Sequence, residues 1–159
     1  MRLYTLEVFI RSGPITRSFA KKNKVVSRTI QIRGDQTLED LHYAIFSAFD
    51  REDQHMFEFE IGGKGPLDPK SRRYVLHADR HDPAYERKPA GDVKETTIES
   101  LGLKVHDRFG YLFDFGDDWW HQINVVAIED KAGRRKFPKV IQRVGESPPQ
   151  YVDWDQEDE

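Results

Sequence analysis

The sequence contains no cysteine among its 159 residues. This absence excludes disulfide bonds, thiolate metal sites and cysteine nucleophiles, and it favours a cytoplasmic protein, which is what we expect. Long apolar runs are missing too, because no segment reaches the roughly 18 residues of a membrane helix. Charged residues interrupt the first seven positions, so we expect no signal peptide and no membrane partner.

Signatures of common enzyme classes are absent from the sequence as well. There is no G-x-G-x-x-G, no G-x-x-x-x-G-K-[ST] phosphate loop and no G-x-S-x-G nucleophile elbow. The segment Gly62-Gly63-Lys64-Gly65-Pro66 has a superficial likeness to a phosphate loop, but no helix is predicted after it and its proline favours a turn. We therefore expect no cofactor, and a non-enzymatic role is favoured over an enzymatic one.

The net charge of −3 is small, but the charges are sorted along the chain. Residues 8–34 and 131–145 contain only bases, whereas six acids and no base follow from Glu146 onward. The basic segments give weaker candidates for nucleic-acid contact, which are Lys21, Lys22, Lys24, Arg134, Arg135 and Lys136. The alternative is that these segments are solvated loops and edge strands, and an isoelectric point near 6.1 argues against a dedicated nucleic-acid binder. One hypothesis is that the acidic tail folds back on the basic strip.

Apolar periodicity predicts more strands than helices. Alternation with a period of two predicts strands at 3–10, 25–33, 55–61 and around 74–76, and a hairpin formed by residues 109–126. One apolar stripe predicts a helix from Thr37 to Asp50, with Asp40 as the partner of a Thr37 cap. We therefore expect an α+β domain over residues 1–145, with a mixed sheet of five or six strands covered by one main helix and a β-grasp-like start. Residues 146–159 are expected to form an acidic, extended or disordered tail.

The predicted hairpin carries an unusual concentration of chemically active side chains, in the segment Phe113-Asp114-Phe115-Gly116-Asp117-Asp118-Trp119-Trp120-His121. Asp114 and His121 flank the turn, and carboxylates at such a tip are suited to binding a ligand, to holding a hard metal ion or to acting as a general base. The structural alternative is that these residues only form the turn, because Asp and Gly are the residues that a tight turn requires. The sequence leaves both interpretations open.

Histidines outside the hairpin give two further candidates. His42 lies on the apolar stripe of the predicted helix, where a core histidine with a hydrogen-bonded ring nitrogen is the usual case. His77 and His81 have the spacing of metal ligands on one helix face, but Pro83 and the surrounding charges favour a loop. We therefore expect no metal ion at this pair.

Four segments together resemble a known family, the Ri-plasmid ORF-three-like proteins, named for the third open reading frame of an agrobacterial root-inducing plasmid. The resemblance rests on the opening strand 4–8, the segment 55–59 and two motifs, T-L-x-x-L-H-x-x-I-x-x-A-F at residues 37–49 and D-F-G-D-x-W-x-H at residues 114–121. Many members have Gly-Trp after the helix, where this chain has Asp50-Arg51. The resemblance implies an α+β domain of unknown function, and it adds weight to Asp114, Asp117, Trp119, His121 and His42 as a functional or fold-defining set.

These observations favour a cytoplasmic binding domain that acts through the hairpin and its basic flanks, in nucleic-acid-related or mobile-element processes. The candidate binding residues are Asp114, Asp117, Asp118, Trp119, His121 and His42, and the partner is a protein or a nucleic acid that the sequence does not identify. The alternative is a small metal-dependent hydrolase that uses the hairpin carboxylates and His121.

Overall fold

A computed structural model describes residues 1–80, 82, 84 and 88–156. It contains two α-helices, α1 (Arg17–Lys22) and α2 (Leu38–Ala48), and short 3-10 turns at Ala78–Arg80, Glu99–Leu101 and Trp154–Gln156. The strands are β1 (Leu3–Ser12), β2 (Ser27–Arg33), β3 (Phe57–Ile61), β4 (Arg72–Val75), β5 (Gly91–Asp92), β6 (Arg108–Phe113), β7 (Trp119–Glu129) and β8 (Lys139–Val144).

All eight strands form one mixed sheet in the order β5-β4-β3-β6-β7-β1-β2-β8. Every neighbouring pair is antiparallel except β4 and β5, which are parallel over two residues. The long strand β1 lies between β2 and β7, and its pairing with β7 is bulged at two places. Bulges bend a strand and increase its twist, so the sheet curves around what lies against its inner face.

Helix α2 fills that inner face. Its start is fixed by a capping box, in which the Thr37 hydroxyl accepts from the Asp40 backbone N–H and the Asp40 carboxylate accepts from the Thr37 N–H. Its apolar stripe is fully buried against alternate residues of the strands, and together they form one core that includes Leu38, Leu41, Ile45, Leu6, Val8, Ile30, Phe59, Tyr111, Phe113 and Trp119. The alternation seen in the sequence therefore selects which side of each strand faces the helix.

Buried Arg28 joins the carboxyl end of α2 to the sheet edge. The Arg28 side chain belongs to β2, is 2% exposed, and donates to the carbonyls of Ala48 (2.8 Å), Val144 (3.0 Å) and Gly145 (3.1 Å). A cation at this place also suits the partial negative charge of a helix carboxyl end. Arg28 therefore connects β2, α2 and the edge strand β8 through one guanidinium.

The outer face of the sheet is covered in one region by the connection between β3 and β4. The backbone N–H of Leu67 in this connection donates to Glu60 Oε1 (2.8 Å), and the Ser71 hydroxyl lies 3.4 Å from the same oxygen. Beneath the connection, Arg73 of β4 holds Glu58 through two bonds of 3.1 Å. Two strand glutamates that period-two alternation would place in water are therefore buried.

The expected fold class is wrong in its proportions. The structure is mostly a mixed sheet of eight strands, with one main helix and a short one, and not an α+β domain with five or six strands. The two-residue β5 is too short to show a period, and β8 is an edge strand whose side chains are mostly exposed on both faces, so its sequence shows no alternation of burial. The β-grasp-like start is also wrong, because β7 occupies the edge of β1 and β3 lies two strands further along.

Within the described residues, neither helix has the length and apolar character of a membrane-crossing segment. The division into a domain over residues 1–145 and a tail remains a prediction.

Replacing Arg28 by Met is expected to lower the free energy of unfolding by about 2–4 kcal/mol, because the partly buried carbonyls of Val144 and Gly145 lose a charged donor and the buried carbonyl of Ala48 keeps only Arg143. The matched control is Arg33→Met, in the same strand, where the side chain is more exposed and forms a 2.9 Å ion pair with Asp35. That change should cost less than about 1 kcal/mol. Urea denaturation measures both values, and equal losses would show that Arg28 does not hold the helix end.

Candidate functional site

The tip of the predicted hairpin is a turn built on Asp114. Asp114 has a left-handed backbone (φ 63°), its Oδ1 accepts from the N–H groups of Gly116 (3.1 Å) and Asp117 (3.3 Å), and its carbonyl accepts from Asp118 N–H (2.6 Å). Its other carboxylate oxygen lies 3.5 Å from His55 Nε2. The Asp114 carboxylate is therefore largely engaged by the turn itself, as Asp side chains in turns commonly are.

The other residues of the turn lie in solvent. Asp117 and Asp118 are exposed, and so is the ring of Phe115. Trp119 and His121 point the opposite way and are completely buried, because alternate residues of β7 face the helix. The structure thus separates the predicted site residues into an exposed acidic tip and an interior set.

The interior set surrounds the guanidinium of Arg51, which follows α2. Arg51 Nη2 donates to His121 Nε2 (2.9 Å), and His121 Nδ1 donates to the Tyr111 carbonyl (3.1 Å), so His121 is neutral. The guanidinium carbon lies 5.3, 4.9 and 5.2 Å from the ring centroids of Phe49, Phe113 and Trp119. Arg51 is therefore stabilised by aromatic faces and one imidazole.

Burial dominates the electrostatics of this cluster. It lowers the pKa of Arg51 to about 10, and it lowers the pKa of His121 well below its usual range, an effect to which the Arg51 charge adds. Among the described residues, no carboxylate lies within ion-pair distance of Arg51, and the buried atoms Arg51 Nη1 and Trp119 Nε1 have no hydrogen-bond partner. Two buried donor atoms in the described part of this core therefore have no acceptor.

His42 belongs to the same interior through Tyr111. The Tyr111 hydroxyl donates to His42 Nδ1 (2.6 Å), and His42 Nε2 donates to Gln54 Oε1 (3.0 Å). The imidazole lies flat on the Phe57 ring, with centroids 3.6 Å apart, and burial lowers its pKa to about 4. His42 is thus a neutral core histidine whose partners are side chains.

The basic segments lie at opposite ends of the sheet. Helix α1, with Lys21 and Lys22, follows the carboxyl end of β1, and exposed Lys24 comes just after it. Arg134, Arg135 and Lys136 follow β7, whose last residue pairs with the first residue of β1. A ten-residue strand spans roughly 30 Å, so the two groups do not form one continuous strip.

The first part of the acidic tail lies on the connection after α2. Ser147 donates to Asp50 (2.6 Å), the Gln150 side-chain oxygen accepts from the N–H groups of Glu52 (2.8 Å) and Asp53 (3.0 Å), and Lys22 pairs with Glu146 (3.1 Å). The tail therefore reaches the hairpin end of the sheet and one basic residue of α1. Glu157, Asp158 and Glu159 lie outside the described residues.

The part of the chain that the structure describes contains no cluster of side chains suited to bind a metal ion. No group of three or more His, Asp and Glu side chains there has the spacing to hold an ion. His77 lies in the connection after β4, and His81 falls outside the described residues.

The outer face of the sheet carries a cleft of about 370 Å³ that the sequence did not predict. Its lining includes Glu60, Lys64, Arg108, Trp120 and Gln122. Burial together with the neighbouring Glu58 carboxylate raises the pKa of Glu60 to about 7. The signal in the sequence is the pair of glutamates within the strand Phe57–Ile61, but their burial depends on the covering connection, which no local pattern predicts.

Comparisons with known proteins give one family, one uncharacterised relative and one solved structure of the same fold. The family described as plasmid pRiA4b ORF-3-like protein matches residues 16–154. The uncharacterized protein y4hQ of Sinorhizobium fredii is 25% identical over 139 residues, which are 80% of this chain and 59% of that protein. This chain therefore spans about three fifths of that relative's length. The crystal structure of the protein of unknown function MM3350 from Methanosarcina mazei Go1 has the same fold, with a TM-score of 0.68 at 23% identity over 94% of this chain and 72% of that one.

Replacing Arg51 by Met should raise the pKa values of His42 and His121, because the positive charge that disfavours their protonation is removed. Both should remain below the usual histidine value, since burial is the larger cause. Histidine Cε1–H titration by NMR measures the change. Arg51→Lys keeps the charge and is expected to keep both pKa values low. Identical titrations in the wild type and the Met variant would contradict this assignment.

Glu60 should make the protein less stable as the pH rises from about 4.5 to 7. Its raised pKa means that the folded protein holds this proton more tightly than the unfolded chain, so the stabilisation is complete below pH 4.5 and lost above about 7. Glu60→Gln removes this dependence, and the variant should gain up to about 3 kcal/mol relative to wild type between pH 4.5 and pH 8. Urea denaturation across that range tests it. The exposed control Glu129→Gln should follow the wild-type curve, and a Glu60→Gln curve parallel to wild type would disprove the assignment.

Proposed function

This chain belongs to the plasmid pRiA4b ORF-3-like family, and from that premise we propose that it is a cytoplasmic binding domain whose partner docks at the hairpin end of the sheet. The membership confirms the resemblance found in the sequence. The two similar proteins compared above are uncharacterised, so the proposal depends on the surface of this chain.

The observation that carries the proposal is an exposed patch of apolar side chains among carboxylates. We define the hairpin surface as Met56, Phe115, Asp117, Asp118 and Tyr151. Met56 is 61% exposed, Phe115 42% and Tyr151 53%, and large apolar side chains gathered at one place on a surface are typical of interaction sites. The Met56 carbonyl accepts from Asp114 N–H (2.8 Å), which places Met56 beside the turn.

Tyr151 brings the tail into this surface. Its hydroxyl lies 2.7 Å from His55 Nε2, and His55 in turn contacts Asp114. Partial burial, then the hydrogen bond and charge of Asp53, then the charges of Asp114 and Asp117 raise the pKa of Tyr151. Several carboxylates therefore face one exposed phenol.

Charge favours a protein partner with a basic, apolar segment. The carboxylates at the hairpin surface repel phosphates, whereas Lys and Arg side chains of a protein would pair with them and apolar side chains would cover Phe115 and Met56. A nucleic acid would instead seek the two basic groups, which lie at opposite ends of the sheet. No observation favours the metal-dependent hydrolase.

The buried cluster supports this role by holding the tip in one shape. Arg51 contacts Phe113 and Trp119, the residues that flank the turn on its two strands. A tip supported in this way loses little conformational entropy on binding, which favours affinity.

The test is charge reversal in the turn before β7. The double change Asp117→Lys/Asp118→Lys should weaken binding of a fluorescent peptide of alternating Lys and Leu residues by about tenfold or more, because attraction becomes repulsion. The matched control is Glu129→Lys/Asp130→Lys, at the carboxyl end of β7, which makes the same change in charge and should leave affinity unchanged. Fluorescence anisotropy at two salt concentrations measures both. Equal affinities, or binding of a 20-nucleotide single strand in preference to the peptide, would refute the proposal.

A further inference from the structure

The outer-face cleft lies apart from the hairpin surface and has its own chemistry. One side is Glu60 of β3, another is the connection carrying Lys64, and the floor is Gly110 of β6 with the Trp120 ring lying over it. A side chain at Gly110 would collide with that ring, since a Cβ there would come within 1.9 Å of Trp120. Glycine at this position therefore allows the indole to lie against the sheet as a cleft wall.

Glu60 carries an acceptor that the protein leaves unused. The residue is 2% exposed, its Oε1 accepts from Leu67 N–H (2.8 Å), and its buried Oε2 has no hydrogen-bond partner among the described residues. A buried carboxylate oxygen without a hydrogen-bond donor costs free energy unless it is protonated or accepts a hydrogen bond from a ligand. When Glu60 is protonated, the neighbouring Glu58 carboxylate accepts its proton in a hydrogen bond, and Arg73 holds Glu58 in place. When Glu60 is ionised, its negative charge lies beside the cleft and favours a ligand that carries N–H groups.

Two cations and one amide complete the lining. The side chains of Lys64 and Arg108 form no ion pair with any described residue, so both charges are available to a ligand. Gln122 adds an amide, and its Nε2 donates to Asn124 (2.8 Å), which fixes its orientation. The volume of about 370 Å³ lies in the range of small-molecule sites.

We propose that this cleft binds a nucleoside monophosphate, with the base against Trp120 and its N–H groups toward the Glu60 carboxylate, and with the phosphate between Lys64 and Arg108. Each part of such a ligand has a counterpart in the lining of the cleft: a planar ring for the indole, N–H groups for the Glu60 carboxylate, and a dianion for two cations. An aromatic amino acid has a ring and a donor, but its single carboxylate leaves one cation unmatched.

Isothermal titration of the full chain with AMP, GMP, CMP and UMP at pH 6 and pH 8 tests the proposal. At least one nucleotide should bind with a dissociation constant below about 1 mM, and its affinity should rise about tenfold from pH 6 to pH 8, because the ionised fraction of Glu60 rises about tenfold around a pKa of about 7. Ionisation of the phosphate, with a second pKa near 6, contributes only about twofold over this range.

Three variants separate the contributions. Glu60→Gln should lose most of the pH dependence and keep only that of the phosphate, and Arg108→Gln should weaken binding about tenfold or more at both pH values. Lys131→Gln removes an equivalent exposed charge in the connection after β7 and should change nothing. Heteronuclear NMR spectra establish that each variant is folded.

Several results would overturn the proposal. The first is that none of the four nucleotides binds at millimolar concentration. The second is equal binding by the wild type, Glu60→Gln and Arg108→Gln. The third is that free inorganic phosphate or tryptophan binds as tightly as the nucleotide. None of them bears on the hairpin surface, because the cleft residues and the hairpin-surface residues are different sets.

Discussion

A guanidinium removed from water must find stabilisation in what surrounds it, and Arg51 finds it in three aromatic rings and one imidazole. This requirement constrains much of the inner face. The imidazole must present a lone pair at Nε2, which is why His121 donates through Nδ1 to the Tyr111 carbonyl. The side chain of the same Tyr111 donates its hydroxyl to His42 on the helix. Helix α2, strand β6 and strand β7 are thus coupled by one chain of polar contacts inside an otherwise apolar core, and such a chain has few alternative arrangements.

The same constraint distinguishes the hairpin residues. Trp119 and His121 serve the buried arginine and are not available to a partner, whereas Asp117 and Asp118 stay in solvent at the tip. The nine residues that concentrate Asp, Trp and His therefore divide into two groups. Trp119 and His121 support the turn from the interior, and Asp117 and Asp118 form part of the surface. A strand alternates its faces, so neighbours in sequence are separated by the thickness of the sheet.

Local patterns predicted much of this molecule. Alternation located the main strands, the Thr37 and Asp40 pair located the helix start, and the Asp- and Gly-rich segment located the tightest turn. What they could not supply depends on distant residues. Edge strand β8 is held by pairing with β2 and shows no periodicity of its own, and helix α1 buries none of its side chains. Arg28 and Arg51 look like solvated charges in sequence, because only the folded chain shows the carbonyls and rings that receive them. Glu58 and Glu60 point to the outer face of the sheet, as the alternation predicts. The connection between β3 and β4 covers that face, so both side chains are buried.

The adjacent tryptophans show how one strand serves both surfaces. Trp119 points inward, contacts Arg51 and stabilises the hairpin tip, while Trp120 points outward, lies over Gly110 and forms a wall of the cleft. Both pair with β6, opposite Phe113 and Leu112, so a shift of register by one residue would exchange their faces. Such a shift would bury Trp120 beside Arg51 and remove the cleft wall in the same step. The register of β6 on β7 is therefore a condition for both proposed sites, although their ligands, charges and residues are different. Gly110 permits this register, since any larger residue there would displace the Trp120 ring that covers it.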